Sequence, residues 1–388
     1  MLLFSLQDAK LQATETWELA RSAGDRCENV SEQTTSALQS PIDFPAFEAA
    51  VVPGDRVAVA LDPNLPAIDQ IVSGVVTAIR KTEAGEIDLV LWDEASDATL
   101  EQVRQAAPGC NVTRHRCDFR ADLSYLAADA DADPIYLNRF LVEADLVLPV
   151  VAIRPSQDTA NNDVTGIFPA LTDSATRRRA IENLVRSAPS RKMPTGNPID
   201  KDVPWLLGVQ LMCGVVINRS GEVQSVVAGP VEAIAEQCIP LSPPDQADLV
   251  IVTLDGPPQQ QTWDNTIRAL RAATGCANPD ATIVVWSHLD QSPGGALLAI
   301  DEETFDGAFV EATDDNDGLP VWDPFAAHAT VLWPILQNYR VMLHSQLDSD
   351  DIERLGIGVV DSLAGLSNLS RGFDSCGVVR AAGFTANR

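Results

Sequence analysis

The stretch Asp131–Pro169 reads DADPIYLNRFLVEADLVLPVVAIRPSQDTANNDVTGIFP and decides the predicted fold. Its central run, Leu146–Ile153, is rich in Val, hardly alternates and is bounded by polar residues. Such a run is typical of a strand buried on both faces of a parallel sheet, although Pro149 cannot donate to a central ladder. An Asn-rich loop begins after Arg154-Pro155. Because ligands bind beyond the carboxyl ends of strands in open α/β sheets, we expect this loop near the functional site.

Two earlier segments repeat the order of strand, loop and helix. Arg56–Leu61 (RVAVAL) predicts a strand, and Ala67–Arg80 predicts a helix because its apolar residues recur at helical spacing. Ile87–Trp92 predicts a second strand and Thr99–Ala107 a second helix. Each unit takes roughly thirty residues, the length of a βαβ unit. The repeat therefore indicates a parallel sheet with right-handed crossover connections.

A Pro-rich polar segment, Pro240–Gln246 (PLSPPDQ), indicates a domain boundary, because such sequence stays extended and makes few contacts. We expect an α/β protein of two domains with a cleft between them. The N-terminal domain (1–240) has a parallel or mixed sheet with helices. The smaller C-terminal α/β domain (247–388) ends in a helix that is free to pack back on the first domain. Within the first domain, Thr16–Ala23 is expected to form a turn or two of helix.

The chain carries 55 acidic and 27 basic side chains, and its net charge of −28 is spread along its length. Such an acidic surface argues against nucleic acid or an anionic membrane as a partner and favours solubility. No stretch approaches the roughly 20 apolar residues of a membrane helix, and the N-terminus MLLFSLQDAK is unlike a signal peptide. The seven cysteines have no CxxC spacing, which favours a reducing cytoplasm and argues against disulfides and zinc.

The sequence contains none of the motifs GxSxG, HExxH, a Walker loop or GxGxxG at a strand end. Candidate catalytic residues are therefore chosen by their position in the predicted fold. Asp62, Asp93 and Glu94 follow predicted strands, where carboxylates orient a ligand or act as bases. Alternatively they cap the following helices, since acidic first turns are common. His288 follows a predicted strand near a possible cleft, or is a loop histidine bonded to backbone. The four scattered histidines predict no metal site.

Polar residues in the Asn-rich loop and a basic triplet add candidates for ligand binding. Asn161, Asn162 and Asp163 bind a polar ligand or simply favour turn conformations. The triplet Arg177–Arg179 lies in a predicted helix, Ser174–Ser187, where its side chains attract an anion or, as is usual, fan out into solvent. These observations alone predict a soluble two-domain α/β protein with a cleft.

A set of short segments in a fixed order carries a family resemblance. The clearest segment is Pro134–Val147 (PIYLNRFLVEADLV). The others, in chain order, are Ser40-Pro41-Ile42, Val52-Pro53-Gly54-Asp55, Gly196-Asn197-Pro198, Val227–Ala233 and Ala247–Val252. The set resembles the nickel-dependent lactate racemases, from about Leu38 to Leu369. The resemblance implies an isomerase fold in which a nickel-pincer nucleotide takes a hydride reversibly from a 2-hydroxy acid, while two opposed histidines handle the hydroxyl proton.

Three loops depart from the catalytic pattern that the resemblance implies. The family's Asp-x-Thr-Arg-Pro motif, whose Arg binds the substrate carboxylate, is here Asp62-Pro63-Asn64-Leu65-Pro66. Ala95 falls where the first catalytic His should be, and Ser156 falls where the second is expected. The Lys that holds the pincer nucleotide covalently in the family has no counterpart in Asn161–Gly166.

In the second domain, Asn265 and Arg268 fall near the family's cofactor- and substrate-facing helix positions, and Arg268 keeps a positive charge there. We therefore expect a small polar or anionic ligand in the cleft. No cofactor is expected, and the nickel-pincer nucleotide is expected only if the family function is retained. The candidate ligand-binding residues are Asn64, Ser156, Asn161, Asn162, Asn265 and Arg268.

Three kinds of function stay open at this point. The first is ligand binding without standard nickel-pincer racemase activity. The second is an enzyme, either a 2-hydroxyacid racemase or epimerase with altered cofactor anchoring, or one that uses the four candidate catalytic residues differently. The third is a non-catalytic sensor or a structural relic. Shifted carboxylate pKa values at one pocket favour an enzyme, and a cleft filled by Trp92, Leu65 and Phe168 favours a relic. The sequence leaves the oligomeric state open.

Overall fold

Two six-stranded β-sheets organise the computed structural model, which describes residues 10–20, 25–129, 131–154, 163–187, 202–237, 241–299, 323 and 325–385. The strands are β1 (Glu15–Leu19), β2 (Arg56–Leu61), β3 (Glu86–Leu91), β4 (Asn111–Arg114), β5 (Leu123–Ala128), β6 (Pro134–Asn138), β7 (Leu146–Ala152), β8 (Met212–Ile217), β9 (Val223–Gly229), β10 (Ala247–Thr253), β11 (Ala277–Trp286), β12 (Arg340–His344), β13 (Gly358–Val359) and β14 (Ser375–Val379). The α-helices are α1 (Val30–Gln39), α2 (Ile68–Arg80), α3 (Asp97–Ala106), α4 (Arg139–Val142), α5 (Ser174–Ser187), α6 (Asp202–Leu206), α7 (Val231–Ala235), α8 (Trp263–Thr274), α9 (Gly295–Leu298), α10 (Ala326–Asn338), α11 (Ser349–Arg354) and α12 (Leu363–Ser370). Among the described residues, no helix has the length and apolar character that crossing a membrane requires.

The first sheet has the strand order β4-β3-β2-β7-β8-β9, and only its β8–β9 pair is antiparallel. β2 and β7 lie side by side in its centre, as their unalternating apolar sequences predict. Pro149 lies in β7 opposite Ala60, so a central strand here lacks one ladder donor. The predicted α/β class with a parallel or mixed sheet is confirmed.

Separate apolar cores cover the two faces of the first sheet. On one face α2 buries a stripe of apolar side chains that includes Ile71 and Val75, and Leu65 is buried in the same core. On the other face Trp92 and Phe168 belong to a second core. The three side chains that would mark a filled cleft are therefore divided between the cores of this sheet, and each of them is buried.

The second sheet has the strand order β1-β14-β10-β11-β12-β13, and all of its pairs are parallel. Its edge strand β1 comes from the start of the chain, so the expectation of helix was wrong for residues 16–19, while residues 21–23 lie outside the described residues. Trp17 of β1 lies over Gly377 of β14, where an added Cβ atom would come within 2.2 Å of the indole ring. This tertiary contact favours a strand that local sequence does not predict.

Residues at the carboxyl ends of both sheets meet each other. The Thr262 hydroxyl donates to Asn64 Oδ1 over 3.3 Å. Gly221, at φ +73°, lies close to Gly256. A Cβ atom added to Gly221 would be 2.3 Å from the Cα atom of Gly256, so a side chain does not fit at position 221. Phe384, near the described end of the chain, packs into the core of the first sheet. The two sheets therefore meet at their carboxyl ends, where the candidate residues Asp62, Asp93 and Glu94 follow their strands.

Candidate functional site

Asp62 is fully buried just beyond β2 and accepts hydrogen bonds on both carboxylate oxygens. Its Oδ1 accepts from the backbone N–H of Asn64 (2.8 Å), and its Oδ2 accepts from the N–H of Ala152 (3.3 Å) and from Arg154 Nη1 (2.5 Å). Arg154 follows β7, and β7 is parallel to β2, so both side chains lie at the same edge of the sheet. Asp62 therefore holds a buried arginine in place and is not available as an isolated base.

Asp93 is the partner of a second buried arginine. Arg177 of α5 donates to Asp93 and to the carbonyl oxygen of Ala170, and it is only 5% exposed. The expectation that the basic triplet fans out into solvent was wrong for this residue, because α5 places Arg177 beside the carboxyl end of β3. Ser96, which follows β3, is the N-cap of α3, so neither Asp93 nor Glu94 caps that helix.

Glu94 lies in a group that joins the two sheets. His328 Nε2, in α10, lies 3.9 Å from Glu94 Oε1 and 3.6 Å from Asp264 Oδ1. Asp264 and Arg268 lie one turn apart in α8, where Arg268 Nε donates to Asp264 Oδ2 over 2.9 Å. The side chains of Asp264 and His328 are 1% and 3% exposed, whereas that of Glu94 is 27% exposed. Glu94 is thus the member of the group that solvent reaches.

The ionisation of this group follows from burial and from its charged neighbours. Although part of Glu94 reaches solvent, desolvation of its crowded carboxyl raises its pKa to about 7, and the nearby His328 offsets only part of this effect. Burial lowers the pKa of His328, but the contact with Asp264 and the charge of Glu94 outweigh burial and raise it. Burial likewise opposes ionisation of Asp264, yet Arg268 and His328 bring its pKa below the usual range. Asp264 therefore stays charged, Glu94 titrates near neutral pH, and His328 keeps its proton to a higher pH than an ordinary histidine does.

A small cavity of about 10 Å³ lies beside this group. Arg154 from the first sheet and Arg268 from the second both line it, together with Trp92, Asp163 and Gly166. Arg154 is 8% exposed, and its Nε and Nη2 have no hydrogen-bond partner within the described ranges. A buried donor without a partner costs about 1–3 kcal/mol, so this half of the guanidinium is suited to an incoming acceptor. The cavity has room for about one water molecule or one ligand oxygen.

Larger openings lie away from these residues. A groove of about 630 Å³ between α1 and α2 is lined mainly by polar side chains. A second opening of about 640 Å³ lies beside Ser220 and Gly221 in the β8–β9 turn, and its arginines Arg26 and Arg380 are paired with Glu222 and Asp255. Neither opening is lined by a candidate residue, so the chemistry of the small cavity identifies the site better than size does.

Asn64 and Asn265, two of the predicted ligand-binding residues, are both buried. Asn64 contacts Thr262 across the two sheets, and Asn265 Nδ2 donates to the carbonyl oxygen of Gln260 over 3.0 Å. Among the described residues, Asn64 Nδ2 and Asn265 Oδ1 are buried without a hydrogen-bond partner.

His288 does not join the Glu94 group. Its backbone N–H donates to Gln261 Oε1 over 2.8 Å, and its ring acts electrostatically on His344. Ser156, Asn161 and Asn162 lie outside the described residues.

Three residues of the site were not among the candidates from sequence: Arg154, Asp264 and His328. The i, i+4 spacing of Asp264 and Arg268 behind the N-cap Thr262 is a signal that sequence alone contains. His328 has no such signal, because it lies in the apolar helix AAHATVLWPILQN.

The residues present do not match the anchor that a covalently held nickel-pincer nucleotide requires. The segment from Asn161 to Gly166 contains no lysine. Of the four lysines, Lys81 ends α2 at the opposite edge of the first sheet, and Lys10 lies before β1. Lys192 and Lys201 lie outside the described residues. We therefore derive no chemical step through this group.

Comparison with known proteins places the fold. No family model matches the sequence, and no curated protein matches it. The structure of the lactate racemase apoprotein from Thermoanaerobacterium thermosaccharolyticum is similar with a TM-score of 0.70 and 16% identity, over 99% of this chain and 96% of that chain. A crystal structure of a Thermotoga maritima protein is similar with a TM-score of 0.63 and 12% identity, over 93% and 97% of the two chains. The chain therefore has a lactate-racemase-like fold.

Proposed function

We propose that the protein binds a small polar or anionic ligand between the two sheets and does not carry out standard nickel-pincer racemisation. The observation that carries the proposal is Arg154, which is buried beside a cavity with two donor atoms that lack a partner in the described part of the chain. Arg268, from the opposite sheet, lines the same cavity. Two guanidinium groups at one cavity suit a carboxylate, which accepts paired N–H donors.

The small volume of the cavity supports a ligand that leaves most of its atoms outside it. One carboxylate oxygen fits a space of about 10 Å³, and Arg268, which lines this space, also holds Asp264 of the neighbouring group. The second part of the proposal, that standard nickel-pincer racemisation does not occur, has separate support. Leu65 is buried in the core where the family has an arginine, and Ala95, also buried, replaces a catalytic histidine.

Nickel analysis and intact mass test whether standard nickel-pincer racemisation is absent. The protein would be produced together with the enzymes that make the pincer nucleotide, and then measured for nickel content, added mass and lactate racemisation. We expect no bound nickel, an unmodified mass and no racemisation. Stoichiometric nickel, with or without added mass, would return the protein to the racemase class through a different anchor.

Thermal unfolding with formate, acetate, pyruvate, malonate and lactate tests the ligand half. A ligand present at 100 times its Kd stabilises the folded protein by about 2.7 kcal/mol, so at least one probe should raise Tm clearly. The double variant Asp62→Asn/Arg154→Met removes the cavity arginine together with its partner and should abolish the shift. Arg354→Met is the matched control, because Arg354 is an exposed arginine on α11. A shift that persists in the double variant would overturn this half.

A further inference from the structure

Three ion pairs neutralise charged side chains near the small cavity and the Glu94 group. Asp62 is paired with Arg154, Asp93 with Arg177, and Asp264 with Arg268. Glu94 and His328 face each other between the last two of these pairs, and no arginine or lysine is paired with Glu94 among the described residues.

We propose that Glu94 and His328 form an acid/base couple that acts on a small carboxylate with an ionisable C–H group next to its carbonyl or carboxylate group. The inference rests on the proposed function, because it requires the carboxylate to be held beside Arg154 and Arg268. It adds the chemical class of the substrate and assigns a role to His328.

The two members of the couple have different positions and therefore different tasks. Glu94, at 27% side-chain exposure, is the member that is open to solvent and therefore to a ligand. His328 is buried behind it, with Nε2 between Glu94 and Asp264. Asp264 is held by Arg268 and in turn orients the imidazole. Arg268 also lines the cavity, so one arginine links the anion site with the group that holds the proton.

The step is a reversible proton transfer. The Glu94 carboxylate accepts the proton from the C–H bond, and the electron pair of that bond stays on the ligand. The resulting negative charge develops next to Arg154 and Arg268, where two buried cations stabilise it. The reverse transfer returns the proton from Glu94 to the ligand. His328, whose pKa is raised by its contacts with Asp264 and Glu94, holds a positive charge that limits the cost of ionising Glu94.

The charges favour a proton over a metal ion at this place. One ligand atom from each of Glu94, Asp264 and His328 lies within 4.8 Å of the others, which suits a cation in distance. However, Arg268 already occupies Asp264 Oδ2, and Arg154 acts electrostatically on the same carboxylate. With Asp264 neutralised, a divalent cation would meet at most one uncompensated negative charge.

Exchange of solvent deuterium into pyruvate, malonate and lactate, followed by proton NMR, tests the couple. We expect exchange at the carbon next to the carbonyl or carboxyl group of at least one probe, with a rate that rises with pH up to about 7, where Glu94 ionises. Glu94→Gln should lower the rate by about 10²–10⁴-fold, which is the usual contribution of a positioned acid or base. His328→Asn should shift the pH profile. Glu101→Gln, on the exposed face of α3, is the matched control.

The Tm shift caused by the same probe separates the possible failures. Exchange that is lost in Glu94→Gln while the Tm shift is kept supports the couple and excludes misfolding. A Tm shift without exchange of any probe, or exchange that Glu94→Gln leaves unchanged, would overturn the couple alone. The lack of both shift and exchange in the unsubstituted protein would overturn this inference together with the proposed ligand site.

Discussion

Asp62 and Glu94 both follow a central strand of the first sheet, yet their surroundings differ. Asp62 has Arg154 at 2.5 Å and backbone donors on both oxygens, so its charge is fully matched within its own sheet. Glu94 has His328, from helix α10, at 3.9 Å, and the pKa of Glu94 rises to about 7. A carboxylate beyond the end of a strand therefore serves structure in one case and holds a proton up to about neutral pH in the other.

The difference shows that the partner, and not the position in the fold, determines what a strand-end carboxylate does. An arginine cannot give up its proton near neutral pH, so a carboxylate paired with it stays charged. A histidine can give up its proton, and a desolvated carboxylate beside it can hold one near neutral pH, as the raised pKa of Glu94 shows.

Removing Arg154 should have the largest effect on stability. Arg154→Met leaves Asp62 charged and fully buried, and an uncompensated buried charge costs about 3–5 kcal/mol. The free energy of unfolding in urea at pH 7 measures this loss. Asp62→Asn/Arg154→Met should recover most of it, because both charges are then absent. An effect of Arg154→Met within about 0.5 kcal/mol, the usual range for surface positions such as Arg354, would contradict the assigned role.

Removing the charge of Glu94 should change how stability depends on pH. The pKa of Glu94 is raised from 4.5 to about 7 in the folded protein, so its stabilising effect is complete below about pH 4.5 and is lost as pH rises through 7. Glu94→Gln mimics the protonated form at every pH. Between pH 5 and 7.5 the unsubstituted protein should therefore lose roughly 2.4 kcal/mol more than the variant does.

Urea unfolding of both proteins across this pH range measures the difference between the two curves. The contribution of His328 has the same sign, since its raised pKa also means that stability falls as pH rises through that value. Asp264 acts in the opposite sense, but only at acid pH, because its pKa is lowered. Parallel curves for the unsubstituted protein and Glu94→Gln would remove the contrast with Asp62.

The first sheet was readable from the sequence because its strands are apolar runs that end at polar loops. That pattern also identified Asp62 and Glu94 as strand-end residues. It did not reveal their partners, since Arg154 and His328 come from other elements and no local spacing connects them. The edge strand β1 was missed for the same reason: its partner β14 lies at the other end of the chain, and ETWEL alone has no clear period.

The neutral contact between the sheets should contribute least. Asn64→Ala removes the 3.3 Å hydrogen bond from Thr262, worth about 0.5–1.5 kcal/mol. Thr262→Ala should cost about 1 kcal/mol more, because Thr262 Oγ1 also caps α8 by accepting from Asn265 N. A double-mutant cycle in urea isolates the contact, with an expected coupling energy near 1 kcal/mol or below. A coupling energy of zero would mean that this hydrogen bond does not contribute to stability and that other contacts between the sheets, such as the packing of Phe384, hold them together.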